Sequence, residues 1–242
     1  MNSVAIVLAS GSGQRFEAKN NAKHLTPVLE VPVVIWTLDA IIKSALFSSI
    51  ALVTREKDLS KTKDIVNQYD LGDISLIKYV IGSDERTNSF INGFEDLSKN
   101  NLIDEKSIVA LFDANRPLTP VDQLISLHNT ATEAGCACPA RPVINGVAKA
   151  DSNKIVEVPD KSKFVEFVTP EFLNLTSLNI KDSFFLKGHN CLVEYALSQS
   201  IIPNIVLASP LNSKLTYPED KTFLDGLALD NSLIKPKKSR IN

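Results

Sequence analysis

Short apolar runs at 4–8, 50–53, 74–81, 108–112, 136–139 and 205–207 recur along the chain, and most are separated by stretches whose apolar residues repeat at helical spacing. Those stretches are 32–45, opened by Pro32 at a first-turn position, then 59–69, 84–97, 120–134 and 182–199. Strands that alternate with helices need crossover connections, so the pattern predicts an α/β fold with a mostly parallel sheet covered on both faces. One interval interrupts the alternation. From 141 to about 170 there are short valine-containing pieces, a polar Asp151-Ser-Asn-Lys154 turn and no helical period, which predicts a β-arm projecting from the sheet.

The chain has 242 residues, no internal repeat and no low-complexity linker. One domain over 1–230, with the arm as an insertion, is therefore expected. Residues 231–242 form a basic tail, Lys235-Pro-Lys-Lys-Ser-Arg240 at its centre, which reads as a frayed, solvated terminus or as an anion contact.

A net charge of −2 provides no basic field of the kind nucleic acid requires, so no nucleic-acid partner is expected. No apolar run approaches the roughly 20 residues that span a bilayer, and the first strand-like run begins without a cationic leader, so the expectation is a cytoplasmic protein with no membrane partner. Cys136, Cys138 and Cys191 are odd in number and have no nearby histidine, which predicts reduced thiols. His24, His128 and His189 share no metal-ligand spacing, and no Gly-x-Ser-x-Gly elbow is present.

In a parallel sheet, ligands bind beyond the carboxyl ends of the strands. The residues at those positions are polar: Ser10-Gly-Ser-Gly-Gln-Arg-Phe16, Gly82-Ser-Asp-Glu-Arg-Thr-Asn-Ser89, Asp113-Ala-Asn-Arg-Pro117 and Asn212-Ser-Lys-Leu-Thr216. The first loop lacks the third glycine of a dinucleotide fingerprint and the Gly-Lys-Ser/Thr of a Walker A loop. Its glycines allow backbone N–H groups to approach phosphates, with Arg15 and Lys23 supplying charge, but a tight surface turn with solvated cations fits as well. Asp84 and Ser89 could cap a helix or read a base edge. Asp113 could hold a magnesium–phosphate complex or pair with Arg116, and Lys214 alone reads as an exposed lysine.

Taken in order, "LASGSGQRF" followed by "AKHL", then "GSDERTNS", "FDANRP", "VTPEF" and "NSKLTYPED", resemble the cytidylyltransferases that act on methylerythritol phosphate and ribitol phosphate. The resemblance runs from Val4 to about Leu227. It implies a Rossmann-like nucleotidyltransferase fold that binds CTP and Mg²⁺ and transfers CMP to a small phosphorylated acceptor, releasing pyrophosphate. By position it implies nucleotide contacts from Ala9, Ser10, Gly11, Ser12, Gly13, Ser83, Asp84, Ser89 and Asp113, with Asp113 also the metal ligand. Arg15, Lys23 and Lys214 would carry the catalytic charge. Arg116, Lys149, Lys161 and Thr169 would face the acceptor, and a homodimer through the arm would complete that site.

The acceptor side departs from the family pattern. Asn145-Gly146-Val147-Ala148 stands where Asp-Thr-Ile-Lys is common, Lys161 replaces an arginine, and Lys187-Gly188-His189 aligns with an expected Thr-Asp-Glu. Exchange of arginine for lysine removes a bidentate fork. A changed acceptor, such as another polyol phosphate or a phosphonate, is therefore expected. The alternatives are a nucleotidyltransferase using another triphosphate and a catalytically silent nucleotide-binding relative.

Overall fold

The structure is a computed structural model that describes residues 2–11, 22–178 and 188–239. Along the chain run β1 (Ser3–Leu8), β2 (Pro27–Val28), β3 (Val31–Pro32), α1 (Val33–Lys43), β4 (Ser49–Thr54), α2 (Leu59–Asn67), β5 (Ile77–Ile81), α3 (Arg86–Lys99) and β6 (Ile108–Asp113). The second half has α4 (Val121–Ala134), β7 (Cys136–Pro142), β8 (Lys149–Asp151), β9 (Lys154–Glu157), β10 (Val165–Phe167), β11 (Glu171–Asn174), α5 (Leu192–Ser198), β12 (Asn204–Leu207) and α6 (Asp220–Asp230).

The main sheet has eight strands among the described residues. β5, β4, β1 and β6 lie side by side and parallel. β11 then inserts antiparallel between β6 and β7, β10 continues antiparallel along the same edge of β7, and β12 covers the other edge in parallel. The fold is the α/β, mainly parallel sheet that the alternation predicts.

Period-two geometry sends successive residues of β1 to opposite faces. Ala5 and Val7 join α1, α4 and α6 in one core, where Trp36, Leu38, Leu124, Leu127 and Leu224 are buried. Val4, Ile6 and Leu8 join α3 and α5 in the other, around Phe90, Leu97 and Leu192. α3 can lie close to the sheet because Gly93 has no side chain: a Cβ there would stand 2.9 Å from both Ile6 and Val53.

Three expectations need correction. Residues 74–76 form a 3-10 turn rather than strand, because the Asp73 carboxylate accepts from the Ser75 N–H and caps it. Over 188–199, the described part of the expected late helix, only α5 is helical. The tail is docked: Asp70 N–H donates to Lys237 O, Ser239 N–H donates to Gln68 O, and Tyr69 bridges Lys238.

The β8–β9 hairpin stands away from the sheet, with Ile144, Ile155 and Val158 of the arm at least 70% exposed. Cys136 and Cys138 are buried and Cys191 is half-buried; burial pushes the Cys138 thiol up to about 12 and Cys191 to about 11. Among the described residues no helix is long and apolar enough to cross a membrane, and no group of three or more His, Cys, Asp or Glu side chains is arranged to hold a metal.

Candidate active site

The carboxyl ends of β1, β5 and β6 open into a cleft of about 260 Å³, bounded by Ser10, Lys23, Asp84, Arg86, Asp113 and Lys214 among others. It is assembled from the loops whose polarity marked them in the sequence.

Asp113 is the electrostatic centre. It ends β6, is 8% exposed, and meets three cations: Lys214 Nζ at 2.7 Å, Arg86 Nη2 at 3.4 Å and Arg116 Nε at 3.7 Å. Burial by itself would raise its pKa, but Lys214, Arg86 and Arg116 together hold the carboxyl well below the usual carboxylate range. Lys214 is thus no ordinary exposed lysine.

Its position follows from a clamp between the 113–119 and 212–215 segments. Asn115 Nδ2 donates to Leu215 O at 2.6 Å, and Leu215 N–H returns a bond to Asn115 O at 2.8 Å. Arg116 Nη1 donates to Asn212 O at 2.9 Å, while Asn212 Nδ2 donates to Thr169 O at 2.8 Å. Lys214 therefore reaches Asp113 from a loop fixed at both sides. Thr37, on α1, supports the same region by donating to Ala114 O at 3.1 Å.

The turn after β5 is tied to the loop after β1. Ser10 donates to Ser89 Oγ at 2.8 Å, Ser83 N–H donates to the same oxygen at 2.9 Å, and Ser89 in turn donates to Ser83 O. Ser89 is fully buried and does not cap α3, whose N-cap is Glu85 without a side-chain bond. Gly82 permits this junction, since a Cβ there would lie 2.6 Å from Ser10 Cβ. Asp84 lines the cleft beside them.

Arg86 and His24 are among the cleft residues that the sequence prediction did not include. Arg86 follows the turn after β5 and connects Asp113 to the 189–190 segment through Nη1, which donates to Asn190 O at 2.7 Å. Its sequence signal is its place inside "GSDERTNS", between the acidic and hydroxyl residues read there as site groups. His24 is 4% exposed, with Nε2 2.9 Å from Thr62 Oγ1 on α2, and so fastens the turn that carries Lys23. Burial lowers its pKa to about 4, so the imidazole is neutral near pH 7.

Ala9, Ser10, Gly11 and Lys23 also line the cleft, whereas Ser12, Gly13 and Arg15 lie outside the described residues. Arg116 and Thr169 gather around Asn212. Lys149 and Lys161 stand on the exposed arm, apart from the cleft, with Lys161 Nζ donating to Ile144 O at 2.9 Å.

Known proteins resemble this chain in sequence and in fold. The 2-C-methyl-D-erythritol 4-phosphate cytidylyltransferase of Bacillus velezensis is 28% identical over 233 residues, which cover 94% of this chain and 96% of the relative. The D-ribitol-5-phosphate cytidylyltransferase of Xenopus tropicalis is 28% identical over 158 residues, 63% of this chain and 38% of that protein. In fold, the chain matches the solved structure of 4-diphosphocytidyl-2C-methyl-D-erythritol synthase from Anaerococcus prevotii with a TM-score of 0.71 and 21% identity, over 94% of this chain and 96% of the other. The family model described as IspD: 2-C-methyl-D-erythritol 4-phosphate cytidylyltransferase matches residues 3–226, and to that family this chain belongs.

Proposed function

We propose that the chain transfers CMP from CTP to a small phosphorylated polyol or a related phosphonate, with release of pyrophosphate. The observation that supports this most directly is the Asp113–Lys214 pair at the floor of a cleft built from the β1, β5 and β6 loops. The acceptor phosphate is already an anion, so no strong base is needed. Catalysis then rests on in-line positioning and on stabilising charge as it builds on the α-phosphate.

In this reading Ser10 and Gly11 offer backbone to the triphosphate, and the Ser83–Ser89 turn with Asp84 reads the cytosine edge. Lys23 and Arg15 neutralise the departing pyrophosphate, while Lys214 exchanges Asp113 for the α-phosphate. Arg116 and Thr169 face the acceptor. Asp113, buried and ionised, fits the single-carboxylate role that Mg²⁺ takes when phosphates complete its shell. Magnesium would supply charge neutralisation for the triphosphate there.

A homodimer through the arm accompanies this reading, because Ile144, Ile155, Val156 and Val158 present apolar surface with no cover in the single chain. Lys149 and Lys161 would then approach the partner's acceptor site.

Pyrophosphate release with CTP and Mg²⁺, measured against methylerythritol, ribitol and glycerol phosphates and small phosphonates, tests the proposal. A responsive acceptor supports it, and competition by the other triphosphates reports base choice. Intact CTP binding with silence across the panel and with excess enzyme would instead favour a non-catalytic relative.

A further inference from the structure

Lys214 lines two clefts. Beyond the nucleotide cleft, a second cavity of about 320 Å³ opens between the base of the arm and the start of α6, with Arg116, Arg141, Glu166, Asp220 and Lys214 among its charged lining. Most of these charges already have work. Asp220 accepts the N–H groups of Thr216 and Tyr217 at 2.6 and 2.8 Å, and Arg116 is shared between Asn212 and Asp113.

Arg141 differs. It lies near the end of β7, directly opposite Glu166 of β10, and its Nε donates to Glu166 Oε2 at 3.0 Å. This bond holds the guanidinium by one edge. Among the described residues its two Nη groups make no hydrogen bond, although the side chain is only 42% exposed. The Arg141 bond in turn keeps the Glu166 carboxyl below its ordinary pKa.

A guanidinium with its terminal edge unengaged matches two oxygens of a phosphate or phosphonate. The arm lacks that fork at Lys161, whose ammonium is occupied with the arm's own Ile144 carbonyl. The cavity instead has a fork at Arg141, within the same chain and lining the same cavity as the lysine that borders the nucleotide cleft.

We propose that Arg141, oriented by Glu166, is the specificity-determining residue that reads the acceptor's anionic group. The inference rests on the cytidylyltransferase reading above. The fork holds the two phosphate oxygens that do not react. The third forms the new bond to the α-phosphorus as the bond from that phosphorus to the pyrophosphate oxygen breaks, with pyrophosphate carrying away the electron pair.

The test is calorimetric titration of ribitol 5-phosphate, methylerythritol 4-phosphate, glycerol 3-phosphate, a small phosphonate and inorganic phosphate into full-length protein saturated with α,β-methylene CTP. Wild type is expected to bind at least one of them. Arg141→Ala should weaken that binding by about 10- to 100-fold, the size of lost charge-assisted hydrogen bonds, while affinity for the CTP analogue stays within twofold. Arg141→Lys, which keeps charge without the fork, should recover part of the loss, and Glu166→Gln should weaken binding several-fold by releasing Arg141. With a turned-over acceptor, the Arg141→Ala defect should appear in the acceptor KM far more than in kcat.

Acceptor affinity unchanged in Arg141→Ala, or no anion bound by the analogue-loaded wild type, would overturn the assignment of Arg141 and leave the nucleotide reading standing. Failure of the wild type to bind the CTP analogue would overturn the reading itself, and the assignment with it.

Discussion

At the residue scale the site is a problem in charge placement. Asp113 keeps three cations in one place, so Asp113→Asn leaves Lys214, Arg86 and Arg116 facing one another without an anion. We expect a loss of about 3 kcal/mol in urea unfolding, toward the low end for a broken buried pair because Lys214 and Arg86 retain access to water. Turnover should fall as well. Lys214→Ala should lower kcat by roughly one to three orders of magnitude with CTP affinity little changed, as for a donor used mainly in the transition state; unchanged turnover in steady-state assays would remove the lysine from the mechanism.

His24 gives a pH signature. Burial, offset only in part by Asp58, lowers it from 6.5 to about 4. Between those values the unfolded chain binds a proton that the folded chain does not, so stability declines as pH falls through this window and no further from this residue below it. His24→Gln should flatten that slope in unfolding free energies measured from pH 7 to 4. Lys214 stood out only through the family resemblance and Arg86 not at all, whereas Asp113 and Arg116 were legible in the sequence because strand ends collect ligand groups. His24 was not, since its role comes from Thr62, 38 positions away, and no spacing rule connects them.

At the element scale, legibility followed hydrophobic pattern. β1, β4 and β6 are continuous apolar runs because both sheet faces are covered, and α1 to α4 keep a helical stripe. β11 escaped notice because its four residues include Glu171 and Asn174, both buried polar groups that satisfy neighbouring backbone: Glu171 accepts from Val193 N–H at the start of α5, and Asn174 accepts from Thr176 N–H. α6 escaped because Leu224 and Ala228 alone are buried in it while Phe223 and Leu229 face outward, which blurs the period. The junction of the first loop with the turn after β5 is an element-level device, and Gly82→Ala tests it. A methyl group 2.6 Å from Ser10 Cβ must displace one loop, so a stability loss of about 1–3 kcal/mol with a raised KM for CTP is expected in thermal melts and initial rates.

At the scale of the whole molecule, the C-terminal segment closes the fold instead of trailing from it. Two backbone hydrogen bonds join 237–239 to 68–70, and Lys235 reaches Glu30 at 3.2 Å. Removing residues 235–242 should cost about 1–3 kcal/mol by differential scanning calorimetry, from lost bonds of ordinary strength, while CTP affinity is kept. Composition could not reveal this, because a basic tail looks solvated until its backbone partners are known. The proposed dimer belongs to the same scale: Ile144→Asp with Val158→Asp should shift sedimentation toward a monomer.

The Asp113–Lys214 contact also bears on how the molecule treats anions it has no use for. Because the Lys214 ammonium is already seated on a carboxylate, ligand entry under the proposed function would be an exchange of partners for this lysine rather than an addition. A bare phosphate must outbid Asp113 for the lysine. Under the proposed function, a triphosphate that arrives with its own cation would give Asp113 a replacement partner, and the exchange would disfavour the free anions of the surrounding solution.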